Sequence, residues 1–277
     1  MIFFKRNIAL FFSLIILSLF NPQQGFAQDQ TYHLKKSLDI PLLSVGTAGT
    51  VASLLLRNRN TPLSIDRINQ LDENSIAAFD FGATKNYSEK AQLASDIILT
   101  ASYALPLSAL IFQEARQNLG AISVMLLESI LINETLTGLT KNLVKRPRPF
   151  TYNRSLSNDI RTQENNNLSF FSGHTSYTAM FTFFSASVLS NYVNNRATKA
   201  AIWTGAAILP AATAYFRYKG GKHYISDVVT GYIVGAAVGF IVPMIHRKAP
   251  PESTTTLSNG IRLDQVASQP FSLVFVF

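Results

Sequence analysis

No cysteine occurs anywhere in the chain. Disulfides, a thiolate nucleophile and a cysteine-linked lipid anchor are thereby excluded. Charge is scarce as well: 14% of residues are Asp, Glu, Lys or Arg, against about 25% in an ordinary soluble domain. That deficit points to a membrane or to a very large buried core, in keeping with the 47% apolar share. Acids are the scarcer sign, which leaves a formal net charge of +8. Neither a long basic arm nor an aromatic-rich nucleic-acid motif accompanies the excess. The basic residues gather in two short stretches, Lys141, Lys145, Arg146 and Arg148, then Arg217, Lys219 and Lys222. Such clustering fits an anionic substrate better than a nucleic acid. There is no repeat at a fixed period, and no His/Cys/Asp/Glu group has the spacing of metal ligands.

What is present is a series of apolar segments separated by polar ones. Lys5 and Arg6, the apolar run 8–20 and the small residues Gly25 and Ala27 read as a secretory signal cleaved after residue 27. Residues 40–56 are apolar but rich in Gly, Ser and Thr, and 57–90 read as a loop with room for a surface helix. The segments 93–112 and 120–144 read as helices, the second stopped by Pro147 and Pro149. Residues 151–169, rich in Asn and Ser, read as the least structured internal stretch. The segments 174–193, 200–215 and 226–245 each approach the length of a membrane span. Gly231, Gly235 and Gly239 share one face of the last of them and fit close packing within the chain. An Asn259-Gly260 turn and the Val/Phe-rich 271–277 allow a small C-terminal β-hairpin.

Three clusters carry chemistry, each at an end of an apolar segment. The first is Lys141, six residues, then Arg148-Pro149. The second is Ser172-Gly173-His174. The third is Arg217, five residues, His223, three residues, Asp227. A transferring phosphoryl group spreads charge over three oxygens and needs several fixed cations and donors. Lys141, Arg148 and Arg217 supply cations, and arginine's fork suits paired oxygens. Ser172 and Gly173 open a helix whose free N–H groups make an anion site. His223 and Asp227, four apart, share a helix face. A carboxylate on one imidazole nitrogen fixes the tautomer and frees the other nitrogen to attack, leaving His174 as general acid. Each cluster alone reads as a basic helix end, a cap or a surface pair; their conjunction, in order, does not. Glu128 and Glu134 read as partners of a basic site residue, not as catalysts.

Together the clusters resemble the three signature motifs of the type-2 phosphatidic acid phosphatase family, also called lipid phosphate phosphatases. That family shares its core with vanadium haloperoxidases and bacterial class A acid phosphatases. The resemblance covers about 141–245. It implies that Lys141, Arg148 and Arg217 bind phosphate and that Ser172 and Gly173 are oxyanion donors. His174 would be the general acid, His223 the nucleophile and Asp227 its partner. Phe171 stands where the family usually has proline, and Phe216 where many members have serine; neither is asked to do chemistry.

These readings make the chain all-α, a membrane-associated bundle of about six helices with the site at one end. The expected division is a signal at 1–27, a helix and polar loop at 28–92, the phosphatase core at 93–248 and a tail at 249–277. The expected enzyme is a metal-independent phosphohydrolase without cofactor. It would remove phosphate from a lipid phosphate or prenyl diphosphate through a phosphohistidine. A small-molecule acid phosphatase or vanadate-dependent haloperoxidase is the alternative. Its partners are the membrane and the lipid substrate, not nucleic acid, and the site is expected to face the periplasm of a bacterial envelope.

Overall fold

Six long helices dominate a computed structural model that describes residues 31–248. We number them α1 (Lys36–Asn58), α2 (Glu89–Ser102), α3 (Leu119–Val144), α4 (Gly173–Leu189), α5 (Arg196–Lys219) and α6 (Ile225–His246). Four short α-helices and four 3-10 turns fill the connections among the described residues. There is no sheet there, only an isolated antiparallel bridge between Tyr32 and Arg247. The all-α expectation and the helix count hold. The signal-peptide and C-terminal hairpin expectations fall on residues outside the described range.

Local chemistry sets the helix ends. The hydroxyls of Ser88 and Ser172 and the side chain of Asn195 cap α2, α4 and α5 by accepting the N–H three residues on. Helix α3 ends where Lys145 turns left-handed (φ 47°) just before Pro147. The segment expected as one helix over 93–112 is two pieces. The α-helix stops at Ser102 and the chain continues as a 3-10 helix, Leu105–Ile111, with Pro106 in its first turn. Proline there cannot donate the backbone bond that an unbroken α-helix would need. The loop expected over 57–90 contains the short helices Ile65–Asn69 and Ala78–Phe81.

Helix α4 is the axis of the bundle. It is buried along its length, with Met180, Phe181, Phe184 and Val188 in the main apolar core. The glycine stripe of α6 lies against it. A Cβ on Gly231, Gly235 or Gly239 would meet the carbonyl oxygens of Ser172, Ser176 and Met180 at 2.5, 2.0 and 2.4 Å. The stripe therefore serves packing within the chain, as expected. Helix α1 packs along α3 just as closely, where Thr135 Oγ1 donates to the Gly46 carbonyl at 2.9 Å.

The outer helices turn apolar side chains outward: Val45, Ile97, Leu143, Ile208 and Ile233 are all more than half exposed. Four stretches, Lys36–Asn58, Glu89–Ile111, Leu119–Thr151 and Ile225–His246, are long and apolar enough to cross a membrane. The chain is membrane-associated. Successive long helices run in alternate directions, so the ends of α1, α3 and α5 meet the starts of α2, α4 and α6. The described chain begins and finishes at the other end, where Lys248 N–H bonds Thr31 and His33 N–H bonds His246.

Candidate active site

All eight residues singled out from the sequence meet at that shared end. Helix α3 delivers Lys141 from its last turn, and the following loop delivers Arg148. Helix α4 opens with Ser172, Gly173 and His174, α5 closes with Arg217, and α6 opens just after His223. Ser172 N–H donates to the Asp227 carbonyl at 2.9 Å, which fixes the start of α4 against the start of α6. A Cβ on Gly173 would lie 3.3 Å from Thr137 and 3.8 Å from Lys141. The absence of that carbon keeps the helix N-terminus close to the lysine stem.

His223 is 1% exposed and held on both sides. Its Nδ1 faces Asp227 Oδ2 at 3.3 Å, and its Nε2 faces Arg148 NH1 at 3.3 Å. Arginine can only donate, so Nε2 presents its lone pair and Nδ1 carries the hydrogen. Burial, then the charges of Arg148, Lys141 and Arg217, push the imidazole well below its ordinary range and keep it neutral. Arg148 also donates to the carbonyls of Asn165 (2.9 Å) and Lys222 (3.0 Å), and Lys141 Nζ to those of Leu168 (2.9 Å) and Ser169 (3.2 Å). Arg217 is buried with Nε unpartnered among the described residues. Lys222, between α5 and α6, is pushed down to about 8 by burial first and then by Arg148 and Arg217.

Three further residues belong to the arrangement, and the sequence reading did not assign them. Arg146 donates from NH1 to Asp227 Oδ1 at 2.7 Å and from NH2 to Asp80 Oδ2 at 2.8 Å, while its guanidinium stacks 3.8 Å above the Tyr224 ring. Asp80 in turn accepts from the backbone N–H and hydroxyl of Ser226. Asp227 also accepts from the Ser169 hydroxyl and the Tyr224 N–H, so its carboxylate is fully occupied. On the other side, Asp96 Oδ1 lies 2.8 Å from His174 Nε2 and 3.4 Å from Arg217 NH1. Arg146 stood inside the first basic stretch, but its partner Asp80 lies 66 positions away. No local signal announces such a pair.

Two expectations need correction. Residues 151–169 form a hydrogen-bonded wall: Thr151, Asn166, Asn167 and Ser169 are buried. Asn166 brackets Leu63 by its N–H (2.8 Å) and carbonyl (3.0 Å), and Asn167 pairs with Asn60. Asparagine-rich sequence looks loose, but its amides can satisfy loop backbone that has no helix partner. Neither glutamate of α3 meets a basic site residue. Glu134 accepts the Tyr177 hydroxyl, and Glu128 lies against His246 at the opposite end. Glu128 precedes Lys141 by thirteen residues, roughly 20 Å along a helix, too far to reach the site.

An open cleft of about 520 Å³ lies outside α2 and α5 between Lys85, Tyr87, Lys90 and Lys219, and neither site histidine lines it. The site itself is occupied by its own side chains, Arg148 on His223 and Asp96 on His174. An incoming anion would take over their donors.

Fold and site together define a membrane-associated helical bundle with a basic, histidine-bearing end. Residues 122–251, which carry all eight site residues, match the PAP2 superfamily. A dolichyldiphosphatase of Saccharomyces cerevisiae is 30% identical over 123 residues, 42% of this chain. The chain spans 50% of that relative's length. No solved structure matches the chain significantly.

Proposed function

We propose that the protein is a phosphohydrolase that removes phosphate from a lipid phosphate or prenyl diphosphate at the membrane through a phosphohistidine. The observation that carries this reading is the bracketing of His223. Asp227 holds one ring nitrogen and a phosphate-binding guanidinium sits at the other. In the first step the Nε2 lone pair attacks phosphorus, and the bond from phosphorus to the leaving oxygen breaks. Lys141, Arg148, Arg217 and the Gly173 N–H carry the charge on the three phosphoryl oxygens, while the Asp227 carbonyl holds the Ser172 N–H. His174 passes a proton to the leaving oxygen, and Asp96 accepts the imidazole N–H that orients it. In the second step water attacks phosphorus, His174 takes its proton, and phosphate leaves His223. Apolar helix faces of bilayer length beside the site favour an acyl or prenyl chain over a soluble ester. So does the printed name of the yeast relative. We assign the catalytic core to 93–248.

The test is phosphate release from a panel of prenyl diphosphates, phosphatidic acid and p-nitrophenyl phosphate. It is joined to rapid labelling by a ³²P ester. The expected result is preference for a lipid substrate and an acid-labile, base-stable label that His223→Ala abolishes together with turnover. Turnover retained by His223→Ala overturns the mechanism. Because the site's cations are side chains, brief EDTA treatment is expected to leave the rate unchanged; loss restored by a divalent ion counts against this reading.

We also assign the site to the periplasmic face of a bacterial envelope membrane. If all six long helices cross, residue 31 lies on the face away from the site. A periplasmic site and removal of 1–27 as a secretory signal then exclude one another.

A further inference from the structure

At the end opposite the phosphate site, three side chains from distant parts of the sequence converge: Asp39 in the first turn of α1, Glu128 on α3 and His246 at the end of α6. All three are buried, and one ligand atom from each lies within 4.8 Å of the others. His246 Nδ1 is 2.8 Å from the Val242 carbonyl, which can only accept, so the ring hydrogen is on Nδ1. Its Nε2 faces Asp39 Oδ1 at 2.8 Å and Glu128 Oε2 at 3.3 Å. Glu128 is 0% exposed, and neither of its oxygens has a hydrogen-bond partner.

A protonated imidazole offers one N–H at Nε2. It can serve Asp39 but leaves Glu128 without a donor, an expensive arrangement for a buried carboxylate. We propose that Asp39, Glu128 and His246 bind a divalent metal ion of the zinc type. Two carboxylates and a neutral imidazole balance a charge of two, and one imidazole with two oxygen ligands suits a borderline ion. A backbone carbonyl on the far ring nitrogen is the usual support of a metal-bound histidine. Bonds of about 2.0–2.2 Å to one ion set its ligand atoms roughly 3–3.5 Å apart; the two His246 spacings of 2.8 and 3.3 Å are close to that, and the two carboxylates, within 4.8 Å of one another, would close around the ion. The ion would tie α1 to α3 and α6. It lies nineteen residues beyond Asp227 on α6, roughly 28 Å away, and takes no part in phosphoryl transfer.

The test uses untagged full-length protein in detergent, freed of metal over a chelating resin and then titrated with Zn²⁺. Metal content and Tm are measured beside phosphatase activity. One Zn²⁺ per chain and a Tm rise of several degrees are expected for the wild type. The near-isosteric Glu128→Gln should bind at least tenfold more weakly, lose the Tm rise and keep its activity below Tm. His246→Ala should lose binding altogether; if it does not fold, Glu128→Gln still decides. A wild type with no bound Zn²⁺ and no Zn²⁺-dependent Tm, or a Glu128→Gln that binds as the wild type does, overturns the site. These readouts are independent of the phosphatase reading, whose failure would leave them unchanged.

Discussion

Arg146 shows how much of this site rests on a residue with no place in the proposed chemistry. It neutralises two buried carboxylates at once, and one of them, Asp227, holds His223. Arg146→Ala would leave both carboxylates short of their cation. We expect a loss of about 3 kcal/mol or more in stability, by the cost of breaking a buried pair, read from the midpoint of thermal unfolding. Arg146→Lys restores a charge but not the fork. It should fold, with kcat lowered and KM little changed, because the side chains proposed to bind phosphate are untouched. An equal rise in KM would argue against a positioning role. Lys222 gives a pH test. Its ammonium is held down to about 8 from an ordinary 10.5 because burial disfavours the charge. Below pH 8 it is charged and attracts phosphate; above, it is neutral. KM should therefore rise as pH passes 8, and Lys222→Gln should flatten that limb. For stability the sign is opposite to a salt bridge: between pH 8 and 10.5 the unfolded chain holds the proton that the folded one has released. That contribution therefore rises with pH.

At the scale of elements, α6 depends on having no side chains where it crosses α4. Gly235→Ala would set a methyl 2.0 Å from the Ser176 carbonyl, and backbone cannot yield as a flexible side chain does. We expect a cost of about 1–3 kcal/mol or more, the range for overpacking, and lower activity, since Ser172 and Asp227 are registered across that contact. Gly205→Ala, where a Cβ meets nothing, is the control and should be neutral or slightly stabilising. A normal Tm for Gly235→Ala would show that the helices separate easily. These elements also divide what the sequence made legible from what it hid. The glycine stripe, the proline stop after α3 and the capped start of α4 are written within a few residues, and each was readable. The three motifs were readable because each is a short run at a helix end, even though the fold alone brings them together. Asp80, Asp96 and the Asn166 bracket were not readable, because each acts on a residue tens of positions away. Asp39, Glu128 and His246 were invisible for the same reason: metal-ligand spacing is a local signal, and this cluster has none.

For the whole molecule, alternation is the governing fact. Six long helices in alternate directions put the proposed phosphate site at one end and residues 31 and 248 at the other. Sidedness then becomes a single binary choice, set by where either end of the bundle resides. The absence of cysteine makes the choice measurable, since any introduced thiol is unique. Ser155 is exposed in the loop at the site end, and Asn194 is exposed between α4 and α5 at the other. In intact cells a membrane-impermeant maleimide should label Ser155→Cys and leave Asn194→Cys untouched. Permeabilised cells should label both. That outcome is what a periplasmic site requires. Labelling of Asn194→Cys alone in intact cells would put the phosphate site in the cytoplasm. It would also reinstate cleavage after residue 27, because the mature chain would then start outside. Phosphatase assays on the same variants guard against misfolding: Ser155 bonds Asn153 and not a site residue, and Asn194 lies at the other end, so both proteins should turn over at the wild-type rate before labelling.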